Sequence, residues 1–329
     1  MSDTLNLLLT LLCGFTLGVF LNYILIPALR RLKVGQEIRE VGPAWHASKA
    51  GTPTMGGLAF IGASCLCLLF GIRYMAKGDF SALCVLALSL SFGLIGFLDD
   101  FFKVKFHRNL GLTAIQKSLL QMAASVLFLY ILYRTGFLTC ELYIPFVNKS
   151  FAIHPVLYFV FAVFVMVGSV NAVNLTDGLD GLATSVTIPV MVFFTVTAAL
   201  SGKANLALFP AALLGGLCAF LIWNFYPAKV FMGDTGSLFL GGAVCGMAFA
   251  LNMPLVLILV GFIYIVETIS VILQVGYFKL THGKRLFKMA PIHHHFEKCG
   301  WTEVRIVLTF ALITWALCLV AYLGVQGSF

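Results

Sequence analysis

Charge is what this sequence has least of. Charged residues make up 10% of its 329 residues, against 60% hydrophobic and 14% aromatic. Water-soluble domains carry roughly 25% charged residues and about 45–50% apolar ones. A soluble enzyme or an extramembrane binding module is therefore excluded, and no stretch is long and polar enough to form a second, aqueous domain. The nine cysteines contain no Cys-x-x-Cys pair, which removes a zinc site and a disulfide framework. Most lie in apolar runs, among them Cys65, Cys67, Cys218 and Cys245, where a thiol behaves as a small hydrophobe. No basic segment precedes the first apolar run and no small-residue cleavage site follows it, so that run reads as a first membrane span and not as a signal peptide. No internal repeat is visible.

What remains is apolar helix. The mean hydropathy is +1.01. About 20 apolar residues cross ~30 Å of hydrocarbon, and there are ten candidate stretches, the eighth of them short: 5–29, 55–75, 80–98, 113–133, 153–173, 181–201, 206–225, 237–251, 253–280 and 304–324. The expectation is a single all-α domain over 1–329, a polytopic integral membrane protein with ten transmembrane helices. The ninth stretch would reach ~42 Å as straight helix, too long for the bilayer, so it must tilt or bend, with Gly261 and Gly276 as weak points. A turn at Asn252-Met253-Pro254 separates it from the eighth.

The formal charge of +8 follows membrane sidedness, so no nucleic-acid partner is implied. Of the 21 Lys and Arg, Arg73, Lys77, Arg134, Lys149 and Lys203 fall on one set of loops and the other sixteen on the opposite set. The basic set faces the cytoplasm, which puts both termini outside. It also attracts anionic membrane lipids and phosphorylated substrates. The acids gather there too: Glu37, Glu40, Asp99, Asp100, Asp177, Asp180, Asp234, Glu297 and Glu303, with every histidine but His154. The positive-inside rule does not explain carboxylates or imidazoles, so this face reads as a catalytic surface.

Four constellations lie on it. Asp99-Asp100 can hold a hard cation or accept a proton, or Asp99 can simply pair with Lys103 at i,i+4. Lys103 stands where an aspartate-rich prenyl-diphosphate site needs an acid, which rejects that reading. In Asn174-Leu175-Thr176-Asp177-Gly178-Leu179-Asp180-Gly181, a helix would bring Asn174, Asp177 and Asp180 onto one arc of about 120°; the alternative is a polar turn. In the run from Trp223-Asn224 to Phe231-Met232-Gly233-Asp234-Thr235-Gly236-Ser237, a glycine-flanked turn opens into span eight. Its free N–H groups can receive an anion beside Asp234, unless Asp234 or Thr235 merely caps the helix. Pro291-Ile292-His293-His294-His295-Phe296-Glu297 can, as a loop, supply donors to phosphate or sugar oxygens; otherwise it is a solvated linker. Glu267, an acid within a span, is either functional or a structural hydrogen bond.

These stretches, with 49–57 (Lys-Ala-Gly-Thr-Pro-Thr-Met-Gly-Gly), run in order through most of the chain. Together they resemble the bacterial phospho-N-acetylmuramoyl-pentapeptide transferases, within the polyprenyl-phosphate N-acetylhexosamine-1-phosphate transferase superfamily. The resemblance implies ten spans in the bacterial inner (plasma) membrane and cytoplasmic active-site loops. It implies transfer of phospho-N-acetylmuramoyl-pentapeptide from UDP-N-acetylmuramoyl-pentapeptide to undecaprenyl phosphate, giving lipid I and UMP, with Mg²⁺ and as a homodimer. By motif, Asp234 resembles the metal ligand, and Asp99 the base or nucleophile with Asp100 beside it. His293 and His294 join the catalytic set. Asn174, Asp177, Asp180, Asn224 and His295 resemble site-lining residues, Phe231 the aromatic that stacks on uracil, and Lys49 and Lys117 the nucleotide-contacting cations. A UDP-N-acetylglucosamine phosphotransferase is the nearest alternative; a secondary transporter of an anionic substrate is the alternative of another class.

Overall fold

A computed structural model describes residues 2–32, 51–106 and 111–328. Lys33, Arg39, Lys49, Arg108, Glu37, Glu40, His46 and His107 lie outside the described residues. Helix α1 (Asp3–Arg31) opens on Ser2, whose hydroxyl accepts the Leu5 N–H at 3.2 Å. Helix α2 (Gly57–Cys67) continues through a 3₁₀ turn (Leu68–Gly71) into α3 (Ile72–Met75). Then come α4 (Ser81–Lys105) and α5 (Ala114–Arg134), the latter started by a reciprocal Thr113–Gln116 capping box. An antiparallel hairpin, β1 (Glu141–Ile144) and β2 (Lys149–Ala152), pairs Glu141 with Ala152. It is followed by α6 (Pro155–Thr176), α7 (Leu182–Leu200), α8 (Ala204–Asn224) and α9 (Gly233–Ala250). After a 3₁₀ turn (Pro254–Val256) come α10 (Leu257–Val260), α11 (Phe262–Leu280), α12 (Ile292–Lys298) and α13 (Glu303–Val325).

Among the described residues, nine helical stretches are long and apolar enough to cross a membrane. Helix α9, the eighth expected span, is not one of them: its 18 residues begin with the polar run Gly233-Asp234-Thr235-Gly236-Ser237. The expected bend in the ninth span falls at Gly261, between α10 and α11. Gly276 does not break it; α11 runs through that position uninterrupted, because each of its neighbours continues the i to i−4 ladder. The turn at Asn252 is present, with φ +59.

Helices α8 and α9 form the buried centre. Helix α1 packs on α8, α4 and α6 on α9, and α7 between α8 and α13. The α1–α8 contact is backbone against backbone. A side-chain carbon on Gly215 would meet the Leu11 carbonyl and the Phe15 N–H, and one on Gly14 would meet the Ala212 carbonyl. Small residues permit this approach where lipid supplies no hydrophobic drive between helices. Gly215→Val is therefore expected to cost ~1–3 kcal/mol by overpacking, read as a lowered thermal midpoint in detergent; an unchanged midpoint would mean the two helices separate without penalty. Leu12 and Phe20 of α1, Phe164 of α6 and Leu312 of α13 point outward, more than half exposed, as hydrocarbon-facing side chains do.

The helix ends sort into two faces. On one, the Asp3 carboxylate pairs with Arg73 and accepts the Tyr74 hydroxyl at 2.6 Å. Asn205 donates to the Asp79 carbonyl at 2.9 Å, Lys203 to the Ala250 carbonyl at 3.2 Å and Asn252 to the Phe137 carbonyl at 3.0 Å. The hairpin joins them through Phe146 N–H to the Gly324 carbonyl at 2.7 Å. Both described ends of the chain thus share this face. The opposite face holds the end of α4, the starts of α5 and α9, the α6–α7 turn and α12.

Candidate active site

Helix α4 ends with Asp99 and Asp100, 3% and 5% exposed, facing Asp234 at the start of α9. Carboxylate oxygens of the three lie within 4.8 Å of one another. Lys103, one turn beyond Asp99, places Nζ 2.5 Å from Asp99 Oδ2 and 2.9 Å from Asp234 Oδ2. Lys117 of α5 donates to the same Asp234 oxygen at 2.9 Å. Asn174 of α6 donates to the other Asp234 oxygen at 2.8 Å and lies 2.8 Å from the Ser237 hydroxyl. Four helices therefore converge on Asp234. The Leu112 N–H donates to Asp99 Oδ1 at 2.8 Å, tying the start of the α5 segment to the same centre.

Asp100 does something the sequence did not suggest. Its carboxylate accepts the Asp234 N–H at 3.2 Å, the Thr235 N–H at 2.9 Å and the Thr235 hydroxyl at 2.7 Å. The N–H groups at the start of α9, expected to be free for an anion, are used to bind a carboxylate from α4. Asp234 and Thr235 do not cap this helix with their own side chains; Asp100 caps it from outside. Gly233 makes the arrangement possible: it has φ +72, and a side chain there would crowd Asp100 Oδ2, the Thr54 hydroxyl and the Met55 N–H. The segment 53–57 docks here through its backbone, with Phe231 N–H to the Pro53 carbonyl at 2.8 Å and Gly56 N–H to the Phe231 carbonyl at 2.8 Å. The Phe231 ring is half-buried beside it. The first motif thus lies against the third, although Lys49 itself is outside the described residues.

The 174–181 run is not one helix. Helix α6 stops at Thr176, Asp177 ends it with φ −80 and ψ 45, and Gly181 turns the chain with φ +76. The two glycines and the acids between them favour turn over helix. Asn174 alone reaches Asp234. Asp177 accepts no hydrogen bond among the described residues; burial first, then the Asp234, Asp100 and Asp180 carboxylates, push its carboxyl well above the usual range. Asp180 accepts the Ala228 N–H at 2.9 Å. Asn224, 2% exposed, accepts the Thr184 hydroxyl at 2.8 Å and donates to the Val230 carbonyl at 3.0 Å. Asp180 and Asn224 therefore hold the 225–230 segment in place.

The histidine segment, expected as a loop, is helix α12. Successive side chains on a helix diverge by ~100°, and the three rings go three ways. His293, 1% exposed, hydrogen-bonds Glu267 at 3.0 Å through Nδ1. His294 bonds Glu297 at 2.6 Å, its ring edge-on to His293 at 4.2 Å. His295 accepts the Lys288 N–H at 3.1 Å and packs on Phe287.

Lys103, Thr235 and Ser237 were not singled out by sequence reasoning as site residues. For Lys103 the signal was the i,i+4 spacing from Asp99, which placed it on the same helix face. The donor set fits a hard divalent cation: all oxygen, with the Asp99, Asp100 and Asp234 carboxylates in excess of the two lysines.

The chain matches the family model described as glycosyl transferase family 4 over residues 82–252. Residues 49–61 match phospho-N-acetylmuramoyl-pentapeptide-transferase signature 1. It is similar to proteins named phospho-N-acetylmuramoyl-pentapeptide-transferase from Clostridium botulinum strain Alaska E43, 46% identical over 98% of this chain and 100% of that one. The same name belongs to relatives from Clostridium acetobutylicum and Clostridium perfringens strain 13, each 46% identical over 96% of this chain and 98% of theirs.

Proposed function

The chain belongs to the phospho-N-acetylmuramoyl-pentapeptide transferase family, and from that premise we propose how its carboxylate centre serves the reaction. The protein transfers phospho-N-acetylmuramoyl-pentapeptide from its UDP carrier to undecaprenyl phosphate in peptidoglycan synthesis, giving lipid I and UMP. The observation that carries the mechanism is the convergence of α4, α5, α6 and α9 on Asp234.

An oxygen of the lipid phosphate attacks the sugar-linked phosphorus of the nucleotide. The new P–O bond forms as the bond to UMP breaks. Near neutral pH the acceptor needs little help to ionise, since a phosphate monoester's second pKa is ≈ 6. Lys103, held in place by Asp99, orients that phosphate, and Lys117 and Asn174 hold the nucleotide diphosphate. Catalysis is positioning and charge neutralisation. Asp234, with Asp99 and Asp100 within 4.8 Å, would hold Mg²⁺, which when bound supplies positive charge against the developing phosphate charge. Phe231 and Lys49 are assigned to the uridine end. Purified protein in detergent, given radiolabelled UDP-N-acetylmuramoyl-pentapeptide and undecaprenyl phosphate, is expected to make lipid I and to ignore UDP-N-acetylglucosamine. Consumption of the latter instead would overturn the substrate assignment.

The same reading has ten spans in the bacterial inner membrane, both termini outside, the site cytoplasmic, and a homodimer. The face distribution of basic residues supports it. Lys149, exposed in β2, and Lys284, exposed after α11, lie on opposite faces. In a background cleared of native cysteines, Lys149→Cys should react with an impermeant thiol reagent on intact cells and Lys284→Cys should not. The reverse labelling pattern would remove the cytoplasmic assignment.

A further inference from the structure

The one acid deep within a span, Glu267 of α11, is fully buried, and the partner its carboxylate has is His293 of α12, 26 positions later. A buried carboxylate is costly unless it is paired and hydrogen-bonded. A carboxylate can only accept, so at 3.0 Å the proton between them belongs to His293 Nδ1. Among the described residues the other ring nitrogen, Nε2, is buried without a hydrogen-bond partner, as is Glu267 Oε1. Nε2 lies against Gly178, where any side-chain carbon would run into it. Gly178 is the residue after Asp177, so this ring nitrogen sits at the turn that carries the Asp177 carboxyl.

We infer that Glu267 is a positioning residue: it fixes the Nδ1–H tautomer and the orientation of His293, so that Nε2 is the ring atom presented to substrate at the 177–178 turn. The logic is that of any carboxylate–imidazole pair, in which the hydrogen bond at one nitrogen decides what the other can do. His294 is tied separately to Glu297, so it does not substitute. The inference rests on the proposed transferase reading.

The test combines kinetics with a tautomer readout. Glu267→Ala should lower kcat ~10–100-fold, the usual cost of losing an orienting partner, with little change in either KM. Glu267→Gln should keep more activity than Glu267→Ala, because its amide oxygen can still accept the Nδ1–H. In ¹⁵N-histidine spectra, with the His293 signals assigned by their loss in His293→Gln, wild type should show a protonated Nδ1. Glu267→Ala should lose that fixed signature. Unchanged kcat in Glu267→Ala beside an active wild type, or identical His293 spectra in the two proteins, overturns the inference alone. A wild-type protein that makes no lipid I overturns the transferase reading and this inference with it.

Discussion

Asp234→Asn should lower turnover by ~10²–10³-fold or more while leaving thermal stability nearly unchanged. The two halves of that expectation have separate causes. Asparagine keeps the shape, and its oxygen can still accept from Asn174 or a lysine. The substitution weakens two ion pairs, to Lys103 and Lys117, each partly exposed to solvent. It also removes one carboxylate from a cluster in which Asp99, Asp100 and Asp177 repel it, and these changes offset one another. Turnover has no such offset, because the charge that would hold the cation is gone and charge stabilisation of the departing UMP goes with it. Asp99→Asn should also be severely impaired, but with metal affinity less affected, since the cation is assigned first to Asp234, the carboxylate on which four helices converge. Mn²⁺ binding by paramagnetic resonance, with and without UMP, separates the two variants. Unaltered Mn²⁺ binding in Asp234→Asn would move the metal to the Asp99–Asp100 pair.

Much of the architecture was legible because hydropathy is a local property. A run such as 304–324 announces a helix whatever its neighbours do, and α13 spans Glu303–Val325. The bend at Gly261 was legible for a similar reason: the segment was too long for the bilayer, and glycine is where a helix yields. Gly276 looked equivalent, and only its surroundings distinguish it. The site was legible as a set of residues on one face, but not as a geometry. Asp100 and Thr235 are 135 positions apart, and that an acid leaving one helix caps the start of another is a tertiary fact. The 174–181 segment stays open in the sequence between helix and polar turn, and the 291–297 segment reads as a loop where the structure has a helix. In 174–181 glycine, asparagine and aspartate can end a helix or sit within one, and local pattern does not decide between these; 291–297 is too short, with three histidines in a row, to show a helical apolar period. The Glu267–His293 pair was visible as two separate oddities, an acid in a span and a histidine run, with nothing in the sequence to join them.

That pairing sets the last expectation, which ranks the three histidines. His293→Ala should lose ~10²–10³ in kcat, as expected when a buried, preorganised donor or acceptor is removed from a charge-dense centre. Its ring is 1% exposed, oriented by Glu267 and placed against the turn carrying Asp177. His294→Ala should lose roughly 10–100-fold, because its ring packs edge-on against His293 and Glu297 holds it there. His295→Ala should keep most of its activity, since that ring engages the Lys288 N–H, Phe287 and Cys299, not the carboxylate centre. Helix α12 should remain folded in all three variants, anchored by Phe296 against Trp301 and Phe310. The measurement is steady-state turnover beside thermal unfolding for each protein. Equal losses in all three would reduce the segment to a helix that merely has to be present. Normal turnover in His293→Ala would remove it from the reaction altogether.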